Sequence, residues 1–205
     1  MLYKIRFGLI AVFFLIVAFL GLTVFKAVRN RQDRDSSRNE GSDESVRRFW
    51  DTYRQASAKR VAGELGSAAD LYQAALKLRP NHEDSLYYGG NCYFELQRYQ
   101  EAIAEYERLI AVNPQGSSRG YVQLALVHAW LDPAAPINLD QSEQYFEQAM
   151  RVDPDSGAML GIGEVEILRG RWEEASKALE KDNADNAMSM AAPYLLGYLS
   201  WRKGE

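Results

Sequence analysis

Cysteine is nearly absent: Cys92 is the single one among 205 residues. It cannot make an intramolecular disulfide. No CxxC or CxxCH exists either, which excludes thiol redox chemistry, cysteine-built zinc sites and covalent haem attachment. Histidine is almost as scarce, with His82 and His128 as the pair and neither in an HExxH sequence. No metal centre is expected from them. There is no P-loop. Gly161-Ile162-Gly163 is only GxG, and the third glycine of a dinucleotide fingerprint would fall on Glu166. Close helix packing is the better reading of those glycines. No GxSxG elbow appears. The chain therefore reads as non-catalytic, with no cofactor and no small-molecule substrate. An excess of positive charge is missing too. Lys and Arg total 24 against 28 Asp and Glu, for a net −4. Residues 46–205 alone carry net −6, from 17 basic and 23 acidic side chains. Phosphate backbones are repelled by such a body, so nucleic acid is not an expected partner.

What the chain does have is apolar content: 47% hydrophobic residues with 25% charged ones. That balance predicts a folded core rather than disorder. Residues 7–25 hold no charge and are rich in Phe, Leu, Ile and Val. A helix of that length spans roughly 28 Å, close to the hydrocarbon thickness of a bilayer. Lys4 and Arg6 precede the run; Lys26, Arg29, Arg31 and Arg34 follow it. The run is longer than a signal-peptide core and ends in Leu22-Thr23-Val24-Phe25-Lys26, which has no small-x-small cleavage site. The expectation is a tail at 1–6, an uncleaved transmembrane anchor at 7–26 and a polar linker at 27–45. Counting basic residues on the two flanks tilts the body weakly toward the cytoplasm. Gly8, Ala11, Ala18 and Gly21 within the anchor would permit close helix approach. That keeps an accessory subunit of a stable membrane complex as an alternative.

The remaining residues repeat. Ala68, Tyr72 and Pro80 recur 34 residues later as Ala102, Tyr106 and Pro114. After a further 40 residues come Ser142, Phe146 and Pro154, with Ala149 between them. The segments between are amphipathic at helical spacing. Each proline cannot continue a helix interior, so it ends one and turns the chain. Small residues at Ala68, Gly90, Ala102, Ala125, Gly163, Ala175 and Gly197 let helices approach, and Tyr72, Tyr93, Tyr106 and Phe146 fill the space beside them.

In these residues the chain resembles the tetratricopeptide repeat family, whose pattern is W-x2-L-G-x2-Y, then A-x3-F, then P. The second copy fits best, with Leu86, Gly89, Gly90 and Tyr93 followed by Ala102, Tyr106 and Pro114. The first has Trp50 and Tyr53, with about two extra residues before its second helix. The third has Leu124-Ala125 and roughly five to six extra residues around Asp132-Pro133-Ala134-Ala135-Pro136. The fourth has Met159, Ile162, Gly163, Ala175 and Leu179 but no closing proline, and a fifth begins at Leu196-Gly197. The resemblance implies an all-α helix-hairpin solenoid over residues 46–205, with about four repeats plus a terminal helix. By the spacing of Gly163 to Gly170 and Gly197 to Gly204, the next helix would start near Glu205. Leu195, Leu196, Leu199 and Trp201 would then leave an apolar edge. Truncation there, or a partner packing on that edge, is expected.

In this family the first helix of each repeat lines a groove for an extended peptide or a partner helix. By that resemblance the candidate partner-binding residues are Asp84, Tyr87, Tyr88, Asn91 and Glu95, then Arg119 and Gln123, then Glu164. Tyrosines offer apolar area with a polar tip, and an asparagine can bond a peptide backbone both ways. Tyr87 or Tyr88 packing against a neighbouring repeat is the competing reading. The family's lysine- and arginine-rich carboxylate clamp is not expected, because a tyrosine stands where its lysine should be. His82, after Pro80-Asn81, reads as a surface residue in a turn; His128 reads as part of the packing, and Cys92 as a small hydrophobe. Membrane-tethered bacterial members of the family often assist envelope complexes, secretion or cytochrome maturation. The resemblance thus implies a scaffold or assembly factor at a bacterial inner membrane with an extracytoplasmic body. An N-terminal part of a longer enzyme is a further alternative.

Overall fold

A computed structural model describes Lys26, residues 43–186 and residues 190–204. The expected tail, the anchor up to residue 25 and the linker at 27–42 lie outside the described residues. Among the described residues no helix is long and apolar enough to cross a membrane. The chain divides into two compact units, one up to Arg48 and one from Phe49 onward. In the first, residues 43–48 are helical and an exposed Arg48–Glu44 ion pair spans one turn at 3.1 Å.

Nine helices and no strand occur among the described residues. They are α1 (residues 43–61), α2 (Leu65–Leu78), α3 (Glu83–Glu95), α4 (Tyr99–Val112), α5 (Ser118–Ala129), α6 (Leu139–Val152), α7 (Ala158–Leu168), α8 (Trp172–Asp185) and α9 (Ala191–Lys203). From α2 onward each helix packs on the next, and α3 also touches α5, as α5 touches α7. The first helices α3, α5 and α7 therefore lie side by side and share a face.

The helix ends follow from local chemistry. α2, α4 and α6 each stop two residues before Pro80, Pro114 and Pro154. The intervening Arg79, Asn113 and Asp153 are extended, with φ of −136°, −144° and −148°. The proline ring forbids the helical conformation to the residue before it, so the helix must end there. Inside the first, second and fourth repeats the short turn between helices uses a left-handed residue. Gly63 and Gly170 supply it with φ of +76° and +75°, and Gly204 ends α9 in the same conformation at +82°. The same position in the second repeat is Gln97, at φ +61°, which a side chain makes costlier.

Small residues face bulky ones across the helix pairs. A Cβ on Gly90 would stand 2.5 Å from the Tyr106 ring, and one on Gly163 would stand 2.8 Å from Leu179. A Cβ on Gly161 would stand 2.2 Å from Phe146, so both glycines of the GxG are packing residues. Tyr72, Tyr106, Phe146 and Leu179 are fully buried, and Cys92 is buried with them. Burying Phe146 contributes roughly 1.5–3 kcal/mol. Ser142 stands where other repeats have alanine, and its Oγ donates to the Ala125 carbonyl at 2.7 Å, which satisfies the buried hydroxyl. Burial pushes the Cys92 thiol up to about 11, so it is inert.

Two polar devices hold the third and fourth repeats. The extra residues of the third repeat fold back onto α5. The Asn138 N–H donates to the His128 carbonyl at 2.8 Å, and His128 Nδ1 lies 3.0 Å from the Pro136 carbonyl. A carbonyl only accepts, so Nδ1 carries the proton. His128 is buried and stacks on Tyr145, as expected of a packing residue. Arg169, the C-cap residue of α7, reaches Asp140 at 2.5 Å, Glu143 at 2.6 Å and Glu166 at 2.5 Å. Burial alone would lower its pKa, but the hydrogen bonds to Glu143, Glu166 and Asp140 outweigh it and the net shift is upward.

Candidate partner-binding face

The shared face of α3 and α5 carries most of the expected residues, and four of them connect. The Arg119 guanidinium donates to Asp84 Oδ1 at 2.7 Å and lies 4.7 Å over the Tyr87 ring. Gln123 Nε2 donates to Tyr87 Oη at 3.4 Å. One turn of α5 thus grips one turn of α3 across the repeat boundary. The Arg119–Asp84 pair is partly solvated, so it contributes at most about 1 kcal/mol and can re-pair with a ligand.

The neighbours are committed differently. Tyr88 meets Tyr87 edge-on, stacks on Tyr72 of α2 at 6.2 Å and carries the Arg60 guanidinium at 4.4 Å. It is half-buried packing between repeats. Asn91 Oδ1 accepts from Tyr106 Oη at 2.7 Å, leaving the Nδ2 amide for a partner. Glu95 is exposed at the end of α3, and Glu164 lies on α7, away from the α3 group.

His82 is not the plain surface residue its turn suggested. It caps α3, with Nδ1 accepting from the Ser85 N–H at 3.2 Å. Its ring sits against Phe49 at 4.7 Å and Tyr53 at 5.1 Å. Burial lowers its pKa below the ordinary histidine value. The aromatic neighbours come from α1, and their approach follows from α1 packing, which turn chemistry does not report.

A second feature escaped sequence reasoning. An open apolar groove of about 590 Å³ lies between α5, α7 and α9. Leu126 and Ala129 of α5, Ile167 and Leu168 of α7, and Leu195 of α9 line it. The start of the folded-back insertion, Trp130-Leu131-Asp132, forms one wall. Leu131 is 71% exposed and Trp130 47% exposed, so bulky apolar surface is left in water beside it. The available signal was a Trp-Leu pair placed in a loop insertion rather than on a helix. Glu164 also lines this groove; it is exposed, and the partial loss of water beside the groove wall raises its carboxyl pKa. No cluster of metal-ligating side chains occurs among the described residues.

The profile of the tetratricopeptide repeat matches residues 53–117 and 138–187, more than half of the chain. The chain belongs to the tetratricopeptide repeat family. Solved structures of similar fold include MamA 41-end from Desulfovibrio magneticus RS-1. It is 22% identical, with 63% of this chain and 71% of that one covered and a TM-score of 0.56. A thermophilic tetratricopeptide repeat protein of Thermus thermophilus is 22% identical, with 76% and 83% covered and a TM-score of 0.61. PilW, described as a widely conserved type IV pilus biogenesis factor, is 17% identical, with 76% and 70% covered and a TM-score of 0.65. At these identities the likeness speaks for the fold of this tetratricopeptide repeat protein alone. No curated protein matches its sequence.

Proposed function

We propose that this chain is a non-catalytic scaffold or assembly factor whose first-helix face holds segments of partner proteins. The observation that carries the reading is that half-buried aromatic and charged groups lie on α3 and α5, which touch one another as α5 and α7 do, and that an apolar groove is lined by α5, α7 and α9. A family of stacked helix pairs presents such a face as an extended binding surface. That PilW is described as a biogenesis factor fits an assembly role.

The uncharged run at residues 7–25 is the basis for placing the protein in a membrane, with the repeats tethered beside it. Tethering raises the effective concentration of the repeats around a membrane complex without new contacts. In this reading the membrane is a bacterial inner membrane and the body is extracytoplasmic.

The test is site-specific photocrosslinking with the full chain in cells. A crosslinker at Gln123, on the first-helix face, is expected to give discrete protein adducts. One at the exposed Glu107 of α4 is expected to give none. Adducts from Glu107 alone would refute the face assignment. Reporters fused after residue 205 that are active in one compartment only would test the placement, and activity in the cytoplasm would contradict it.

A further inference from the structure

The groove between α5, α7 and α9 has a chemistry that the α3–α5 group lacks. Its floor is aliphatic, and the charged side chains lining it are Glu164 and Asp132, with no lysine or arginine among them. Asp132 is already occupied: its carboxylate accepts from the Ala134 N–H at 2.8 Å and from Gln97 Nε2 at 3.4 Å. Glu164 differs. No hydrogen bond or ion pair engages its carboxylate among the described residues, and nearby protein displaces some of its water, which raises its pKa. Glu164 is exposed to solvent where it lines the groove, an uncompensated negative charge beside the aliphatic floor. A cation arriving there would gain a charge-assisted hydrogen bond.

We propose that this groove takes an apolar peptide segment carrying a lysine or arginine, whose side chains fill the aliphatic floor and whose cation pairs with Glu164. The inference rests on the partner-binding reading above and names the partner's chemistry. The occupant is set by charge complementarity. An acidic segment would place a second carboxylate beside Glu164 and be disfavoured, and a purely apolar one would gain nothing from it. Trp130 and Leu131 supply the aromatic and aliphatic wall against which such a segment packs.

The test pans a displayed library of random dodecapeptides against the full chain. Enriched peptides are expected to combine leucine-like residues with lysine or arginine. They should bind Glu164→Gln up to about fivefold more weakly than the parent, as loss of a solvent-exposed ion pair predicts. Binding should be lost in Leu168→Asp and unchanged in Glu147→Gln, an exposed acidic residue of α6. Enriched peptides that lack a basic residue, or whose affinity ignores both groove substitutions, would overturn the inference. If such peptides lose affinity for Tyr87→Ala instead, binding on the first-helix face survives and only the groove assignment falls. A library that yields no binder would count against both.

Discussion

Gly161→Ala should destabilise the fold, although alanine is the better helix former. A Cβ at Gly161 would meet Phe146 Cζ at 2.2 Å, Cε1 at 2.4 Å and Cε2 at 2.7 Å. Carbon atoms in contact sit about 3.5–4 Å apart, so the ring must move by more than about 1 Å. Phe146 is 1% exposed and has no open side to move into. Overpacking of this severity costs about 3 kcal/mol, from which alanine's helix preference returns about 0.5–1 kcal/mol. The net loss is about 2 kcal/mol. Gly197 is the matched control. It lies in α9, and a Cβ there meets nothing within 4 Å. Gly197→Ala should therefore stabilise by about 0.5–1 kcal/mol. Phe146→Leu should cost about 1–2 kcal/mol alone, but in the Gly161→Ala background it makes room for the new methyl. The double variant should fall short of the additive loss by at least about 1 kcal/mol. Urea unfolding of the full chain, followed by far-ultraviolet circular dichroism, measures all four variants. A Gly161→Ala protein as stable as Gly197→Ala, or strict additivity in the pair, would refute the interlocking account.

Three further outcomes are expected. Gln97→Gly removes a left-handed residue with a side chain from the α3–α4 turn and should stabilise by about 1 kcal/mol in the same assay. Arg169→Ala leaves the buried Glu166 with only Arg171, at 3.4 Å, and should cost about 3 kcal/mol; Arg169→Lys, which loses the planar fork, should recover only part of that. His82 has a folded-state pKa below the unfolded value of 6.5, so the unfolded state binds its proton first on acidification. Stability should therefore fall as the pH drops below that value. His82→Asn keeps a capping oxygen but does not titrate there, so its stability should fall less between about pH 7 and about pH 5; equal losses would show that His82 is not the cause.

The legible part of the fold is the part set by steric rules acting over a few residues. Pro80, Pro114 and Pro154 end their helices as expected because the ring constrains the residue before it. Gly90 and Tyr106, or Gly163 and Leu179, pair at a fixed separation because one hairpin sets the distance between them. Arg119 and Asp84 come together for a related reason, since the stacking of repeats brings residues about one repeat apart onto adjoining first helices. What was hidden depends on longer-range folding. The pattern left open which of Tyr87 and Tyr88 packs, and it is Tyr88 that turned to Tyr72; Asn91 gave its oxygen to Tyr106 because side-chain choice there follows the neighbouring helix. The α5–α7–α9 groove depends on an insertion that folds back through His128, Pro136 and Asn138. No periodicity reports where such a loop sets down Trp130 and Leu131. Gln97 breaks the glycine pattern of its turn, so its left-handed conformation carried no compositional signal.

The central claim is that partners dock on the side formed by α3, α5, α7 and α9. Hydroxyl-radical footprinting of the full chain, alone and bound to a captured partner, tests it most directly. Protection is expected at Tyr87, Trp130, Leu131 and Leu168, with the exposed positions of α4, α6 and α8 unchanged. Protection confined to α4, α6 and α8 would contradict the account.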